Sequence, residues 1–414
     1  MSTPTEQHRS VNKKVLVGLA VCYLAYLTYK FFTTGLSFTN YNWWNVSEWL
    51  INYEGGFVRR GIIGQLLFWL YELHPYPVRD AIFVIAGVAF ITFIYCLIRL
   101  FNKEGWSHLL LFTPCLLAVT FSAIGIFWTR RDNIALLVTW LIFILWARYA
   151  RKGNLWSIVA AQLLSVLTLF IHEASFFFTF PLLALYCYSV FAKCLSPLRA
   201  LAKTFFAMLP ATITMAVMCI FKGDAQMAAD VWASWRPMME RYPTGGNINE
   251  IGDGVKALGW NTRETFAMHL GRNWNITSFP IRIIQFAALY YLVTRINTLD
   301  LGWNKLKPVN RIRMSNYMLL QFIFLLPMFT VLSCDVQRVW CYWVFTSLIA
   351  YHCFGDARLP FFRLLSKFSD KVQRGMDRWK FLSSPYTYLA AMALTLPGVW
   401  RHISTIAQQT LNSL

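Results

Sequence analysis

Residues 57–73, FVRRGIIGQLLFWLYEL, decide how this chain is laid out. The stretch is apolar but short of the roughly 20 residues a helix needs to cross a bilayer core about 30 Å thick. It holds Gly61 and Gly64 and opens with Arg59 and Arg60. It can cross a membrane or lie along its surface, and the choice inverts every loop that follows.

Longer apolar runs surround it, at about 14–35, 81–100, 108–128, 134–150, 155–172, 174–193, 203–221, 278–294, 315–333, 339–354 and 384–400. They predict an all-α polytopic membrane protein with about eleven transmembrane helices. Composition agrees: 57% of the 414 residues are hydrophobic and only 14% are charged, against about 25% charged in soluble domains. Mean hydropathy is +0.45. Disordered, collagen-like and coiled-coil classes are excluded. The first run follows a polar basic start, MSTPTEQHRSVNKK, and no small-residue cleavage site follows it, so it reads as a retained span. The nine cysteines are scattered without a CxxC pair, and neither a zinc site nor a disulfide framework is expected.

Charge settles the ambiguous stretch. If 57–73 does not cross and the N-terminus is cytoplasmic, the inner loops are 1–14, 99–104, 148–152, 193–203, 295–313 and 356–380. They hold 23 of the 38 basic residues and 6 of the 19 acidic ones. The inside is then +17 and the outside +2, as cytoplasmic loops rich in Lys and Arg require. If 57–73 crossed, every later basic loop would face the wrong way. The net charge of +19 is thus mainly a topology signal, and nucleic acid is not an expected partner. The loop 358–380, RLPFFRLLSKFSDKVQRGMDRWK, has the pattern of a basic amphipathic helix lying on anionic lipid.

Two outer loops are long. Residues 36–80 contain the Trp- and Tyr-rich stretch YNWWNVSEWLINY (41–53), as interfacial helices do. Residues 222–277 mix Trp232, Trp235 and Trp260 with charges and a TGGN turn at 244–247. Sequons at Asn45 and Asn275 fall in these loops.

Four polar clusters reach the same outer side. They are NYEGGFVRRG (52–61, with Glu54, Arg59 and Arg60), TRRDN (129–133, with Arg130, Arg131 and Asp132), IHEAS (171–175, with His172 and Glu173) and CDVQR (334–338, with Asp335 and Arg338). Charges at membrane depth are costly and face a polar cavity or a partner. Each cluster alone has a structural reading: a solvated loop carboxylate, a headgroup anchor, a helix-end pair, or an i,i+3 salt bridge between Asp335 and Arg338. Their common side argues for one shared cavity. Arginine suits phosphate, because its planar fork makes two parallel charge-assisted hydrogen bonds. A carboxylate beside it can serve as general base on a sugar hydroxyl. Glu54 is the first candidate, next to the flexible Gly55–Gly56 turn, with Asp132 in reserve. Arg59, Arg60, Arg130, Arg131, Arg338 and His172 are the candidates for holding the phosphate. Glu173 and Asp335 are secondary candidates. Asp132, His172, Glu173 and Asp335 could give hard ligands to a divalent cation, but with no DxD pair and no HExxH motif the spacing demands no metal.

This layout resembles the GT-C superfamily of membrane glycosyltransferases. Those proteins follow the first span with a long outer loop carrying interfacial helices and a catalytic acid, and place basic residues at the outer rim for a polyprenyl phosphate. The resemblance covers about residues 1–221, followed by the outer loop 222–277 and a C-terminal membrane module, 278–414. It implies interfacial helices at about 41–52 and 57–73, with Glu54 as the loop acid. The sequence departs from the family in that Glu54 has no acidic neighbour and Trp43-Trp44 leads into Asn45-Val46 rather than the WWDYG motif of oligosaccharyltransferases. The chain is also similar in layout to Wzy-type O-antigen and capsule polymerases, which rely on outer-face arginines. The expectation is a bacterial inner-membrane enzyme of surface-glycan assembly that moves a sugar from a polyprenyl-phosphate carrier to a glycan or lipid-linked acceptor at the periplasmic face. The alternatives are a repeat-unit polymerase and a lipid-linked glycan transporter. Transporters carry inverted repeats and midplane charges, whereas these charges sit at one rim.

Overall fold

The computed structural model describes residues 13–35, 40–113, 127–274, 278–333, 335–355 and 357–396. Among them all regular structure is helical. The main helices are α1 (Lys13–Lys30), α2 (Gly61–Leu73), α3 (Val78–Glu104), α4 (Asp132–Lys152), α5 (Leu155–Ile171), α6 (Ser175–Phe191) and α7 (Pro197–Ile220). They continue as α8 (Ala225–Ser234), α9 (Thr262–Asn273), α10 (Ser278–Thr294), α11 (Arg311–Pro327), α12 (Val336–Phe354), α13 (Phe362–Arg378) and α14 (Pro385–Leu394).

Among the described residues five stretches are long and apolar enough to cross a membrane: Lys13–Thr33, Val78–Glu104, Asp132–Lys152, Pro197–Ile220 and Arg311–Leu332. The apolar runs expected at 155–172, 174–193 and 278–294 form helices of 17 residues each. Of the run 108–128, a 3-10 turn spans His108–Phe112 and residues 114–126 lie outside the described residues. The end of the run 384–400 also lies outside them.

Local sequence explains the hairpins. Gly153 adopts φ +66 and ends α4, as an αL residue does at a helix C-terminus. Asn154 then caps α5 by accepting from the Trp156 N–H at 3.0 Å. This two-residue link lays α4 against α5. The Thr139 and Thr179 hydroxyls, 2.8 Å apart, tie α4 to α6. At the centre stands α12, with sixteen of its nineteen side chains buried. Trp340 packs on Phe329 (4.4 Å between ring centres) and Trp343 on Phe286 (5.0 Å). Between helices in lipid such contacts gain from close packing rather than from expelled water.

The two long loops are not separate. They share a second hydrophobic core, in which Val46, Trp49, Leu50 and Ile51 of the first loop meet Val231, Trp232, Trp235 and Val255 of the second. Trp235 Nε1 donates to the Leu50 carbonyl at 2.7 Å and Trp232 Nε1 to that of Ile248 at 2.8 Å. Both indoles are therefore part of the core. Asn45 is buried too, its amide donating to Thr129 Oγ1 at 3.0 Å, so that sequon is closed to glycosylation. Asn275 lies outside the described residues.

The stretch 57–73 belongs to this second core through Leu67 and Phe68. Its helix starts only at Gly61, because Arg60 takes the left-handed conformation (φ 66) and breaks the run. The remaining 13 residues are about 20 Å long at 1.5 Å each. Gly64 lets α2 lie directly on the first loop. A Cβ there would come within 2.0 Å of the Ile51 carbonyl oxygen. The expected helix at 41–52 is a short turn, Trp44–Ser47, running into a 3-10 turn, Glu48–Leu50.

Candidate functional site

Helix ends carry the polar clusters to one place. Asp132 opens α4, where a carboxylate suits the positive end of the helix. Arg338, in the first turn of α12, donates Nη2 to Asp132 Oδ1 at 2.5 Å. Tyr342, one turn further on, donates its hydroxyl to the same oxygen. His172, at the end of α5, accepts the Ala174 N–H on Nδ1 at 3.2 Å. Its Nε2 lies 3.0 Å from Arg338 Nη2, which can only donate, and 3.6 Å from Asp132 Oδ1.

A second set is built on Glu48, in the 3-10 turn of the first loop. Arg130 grips it with both prongs, Nε to Oε1 at 3.2 Å and Nη2 to Oε2 at 2.9 Å. Trp44 Nε1 adds a bond at 3.2 Å and the Arg131 N–H one at 3.4 Å. Burial opposes the charge on Glu48, but Arg130, Arg131 and Arg338 outweigh it and hold the carboxyl below the usual range. Gly254 makes room for this turn. A Cβ there would stand 2.5 Å from the Glu48 nitrogen.

The third set is Glu173 with two arginines. Arg60 donates Nε to Oε2 at 2.6 Å and also Nη2 to Oε1, and Arg59 reaches Oε1 at 3.3 Å. Burial pushes the Glu173 carboxyl up, but Arg60 and Arg59 prevail and hold it well down. Arg131 Nη1 donates to the Arg60 carbonyl at 2.8 Å, an oxygen aimed by the left-handed backbone of Arg60. Burial lowers Arg131 to about 10, still a cation at neutral pH. Asp335 joins the sets, with Oδ2 at 3.5 Å from both Arg130 Nη1 and Arg338 Nη1.

Five arginines thus face four carboxylates, and every carboxylate is bound to at least one of them. The surplus is positive. Three buried guanidinium nitrogens, Nε of Arg59, Arg131 and Arg338, have no hydrogen-bond partner among the described residues. Buried donors want partners.

A cavity of about 420 Å³ opens against the cluster. Arg59, Arg60, Arg130, Arg338 and Lys222 contribute to its lining, with His172, Glu173 and Asp335. Met215, Met218, Phe266, Met328 and Leu332 add apolar lining, as do Trp44 and Trp260, whose ring centres lie 5.6 Å apart. Arg131 and Asp132 stand behind this lining. Two wider hollows, of about 770 and 990 Å³, lie elsewhere and share His352. Both carry cations such as Arg151 and Arg99, and among the described residues no Asp or Glu lines either. Among the described residues no three His, Cys, Asp or Glu side chains group as a metal site.

Glu54 is not brought into this arrangement. It is exposed and accepts from Gln65 Nε2 at 2.9 Å. The reason is the turn itself: Gly55 packs on the Met227 carbonyl of α8, which directs residues 53–56 toward the second loop. The first-loop acid at the site is Glu48, which motif reading passes over. Its signal is an acid set among Val46, Trp49, Leu50 and Ile51, a position that only a buried, paired carboxylate tolerates. Lys222, Trp44 and His269 of the lining carry no comparable local signal.

No protein-family model matches this chain, and no curated protein and no solved structure matches it either.

Proposed function

We propose that the chain is a bacterial inner-membrane glycosyltransferase of surface-glycan assembly, with the eleven-span, GT-C-like layout read from its sequence, its N-terminus cytoplasmic, its C-terminus periplasmic and its site at the periplasmic face. It moves a sugar from a polyprenyl-phosphate carrier to a glycan or lipid-linked acceptor. One observation carries this reading: one cavity is lined both by a cluster of cations and by apolar side chains, the two chemistries of a phosphate joined to an isoprenoid tail. Arg59, Arg60, Arg130, Arg338 and Lys222 hold the phosphate. They stabilise the negative charge that grows on it as the bond to the sugar breaks. Trp44 and Trp260 offer ring faces to the sugar. Glu48, Asp132, Glu173 and Asp335 fix the arginines in place before substrate arrives, so little reorganisation is needed in the transition state.

The experiment is turnover in proteoliposomes. The purified protein is given a panel of polyprenyl-phosphate hexoses with an oligosaccharide acceptor, and release of polyprenyl phosphate is followed. The reading expects release with at least one hexose. Release from none of the panel, by protein that is folded and inserted, would count against it.

A further inference from the structure

α9 forms one flank of the cavity, through Thr262, Thr265, Phe266 and His269. It is a helix with an unusual anchor. Of its side chains described, Thr265 is half-buried, His269 alone is buried, and the others are exposed, Met268 and Leu270 among them. The buried face of a surface helix is ordinarily apolar. A histidine at the one buried position suggests a task beyond packing.

The ring has a defined proton. His269 Nδ1 lies 3.1 Å from the Val331 carbonyl oxygen. A carbonyl only accepts, so Nδ1 carries the hydrogen and a neutral ring leaves Nε2 as a bare lone pair. That Nε2 is buried and has no hydrogen-bond partner among the described residues. His269 lines the cavity, and its Nε2 is an acceptor without a donor among the described residues. Val331 belongs to the turn that leads to Asp335, so the backbone that orients the imidazole also carries the carboxylate set between Arg130 and Arg338. The four carboxylates of the cluster are meanwhile all bound to arginines, and Glu54 stands outside it.

We propose that His269 is the general base of the reaction, a conclusion that rests on the glycosyl-transfer reading above. Nε2 removes the proton from the acceptor hydroxyl as that oxygen bonds to the anomeric carbon. The bond from the anomeric carbon to the carrier phosphate breaks, and its electron pair passes to a phosphate oxygen held by the arginines. The imidazolium then returns its proton to solvent. The Val331 carbonyl stabilises the ring in the tautomer that the step needs, as the orienting partner does for other catalytic histidines.

The test separates base from anchor. In His269→Asn the side-chain amide can still donate to Val331, so α9 stays in place, but no basic nitrogen remains. His269→Ala removes both. Polyprenyl-phosphate binding and polyprenyl-phosphate release from a hexose donor are measured for each in proteoliposomes, beside Asp335→Asn. The proposal expects His269→Asn to bind the lipid phosphate within about threefold of wild type while release falls about 10²–10⁴-fold. Release within about threefold of wild type would overturn His269 as the base and leave the glycosyl-transfer reading standing. A full loss in Asp335→Asn with none in His269→Asn would give the role to Asp335. If wild type neither binds the lipid phosphate nor releases it from a donor, the reading and the base fall together.

Discussion

Arg338 and Asp132 lie 206 positions apart in the chain and meet at 2.5 Å. The contact joins the first turn of α12 to the first turn of α4, and the Tyr342 hydroxyl and His172 gather around the same carboxylate. Removing one partner from a buried ion pair strands the other. Asp132→Asn is expected to cost about 3–5 kcal/mol. The double variant Asp132→Leu with Arg338→Met should lose less than the sum of the two single losses. Thermal unfolding in detergent measures the cycle; additive losses would show that the pair is not coupled.

Acid should loosen the cluster. Glu48 and Glu173 are held below the usual glutamate range by their arginines. Groups with lowered native values contribute stability in full above their unfolded value, about 4.3 for glutamate. That stability is lost as pH falls from there through the native values. Wild type should therefore lose thermal stability as pH drops below about 4.3, and Glu48→Gln, already weaker at neutral pH, should show a shallower decline. Parallel pH curves for the two would refute the assignment for Glu48.

The close approach at Gly254 gives a backbone test. Gly254→Ala puts a Cβ against the Glu48 main chain, and overpacking of this kind costs about 1–3 kcal/mol. Phosphate binding should weaken with it, since Glu48 positions Arg130. Gly271→Ala, with nothing within 4 Å of its added Cβ, should be neutral or mildly stabilising. Equal behaviour of the two variants would remove the argument.

The tryptophans should divide by burial. Trp235 is fully buried and bonded to Leu50, so Trp235→Ala should cost about 3–5 kcal/mol of stability. Trp260 is partly exposed on the cavity. Trp260→Ala should leave the melting temperature nearly unchanged and raise KM for the sugar donor. A loss of folding in Trp260→Ala with an unchanged KM would make that residue structural.

The apolar runs are legible because lipid imposes one rule on every spanning segment, and the helices at 81–100, 134–150 and 203–221 need no partner to be recognised. The meeting of Arg130, Arg131, Asp132, His172, Glu173, Asp335 and Arg338 is legible for a similar reason: positive-inside counting places their helix ends on one side. Glu54 and Glu48 show where such reading stops. Both are first-loop acids, and which of them turns inward depends on how Gly55 packs on α8 and Gly254 on Glu48, contacts made across some two hundred residues. His269 is invisible for the same reason, since its meaning lies in the Val331 carbonyl and in the exposure of its helical neighbours.

Direct binding tests whether the cavity holds a lipid-borne phosphate. Polyprenyl phosphate is titrated into the protein in nanodiscs of zwitterionic lipid, with the corresponding polyprenol as control. Wild type should bind the phosphate and not the alcohol. The double variant Arg59→Ala with Lys222→Ala, two cations at the cavity lining, should lose at least about tenfold in affinity, measured on protein that is folded and inserted. Equal affinity for phosphate and alcohol, or an unchanged affinity in the double variant, would contradict the account.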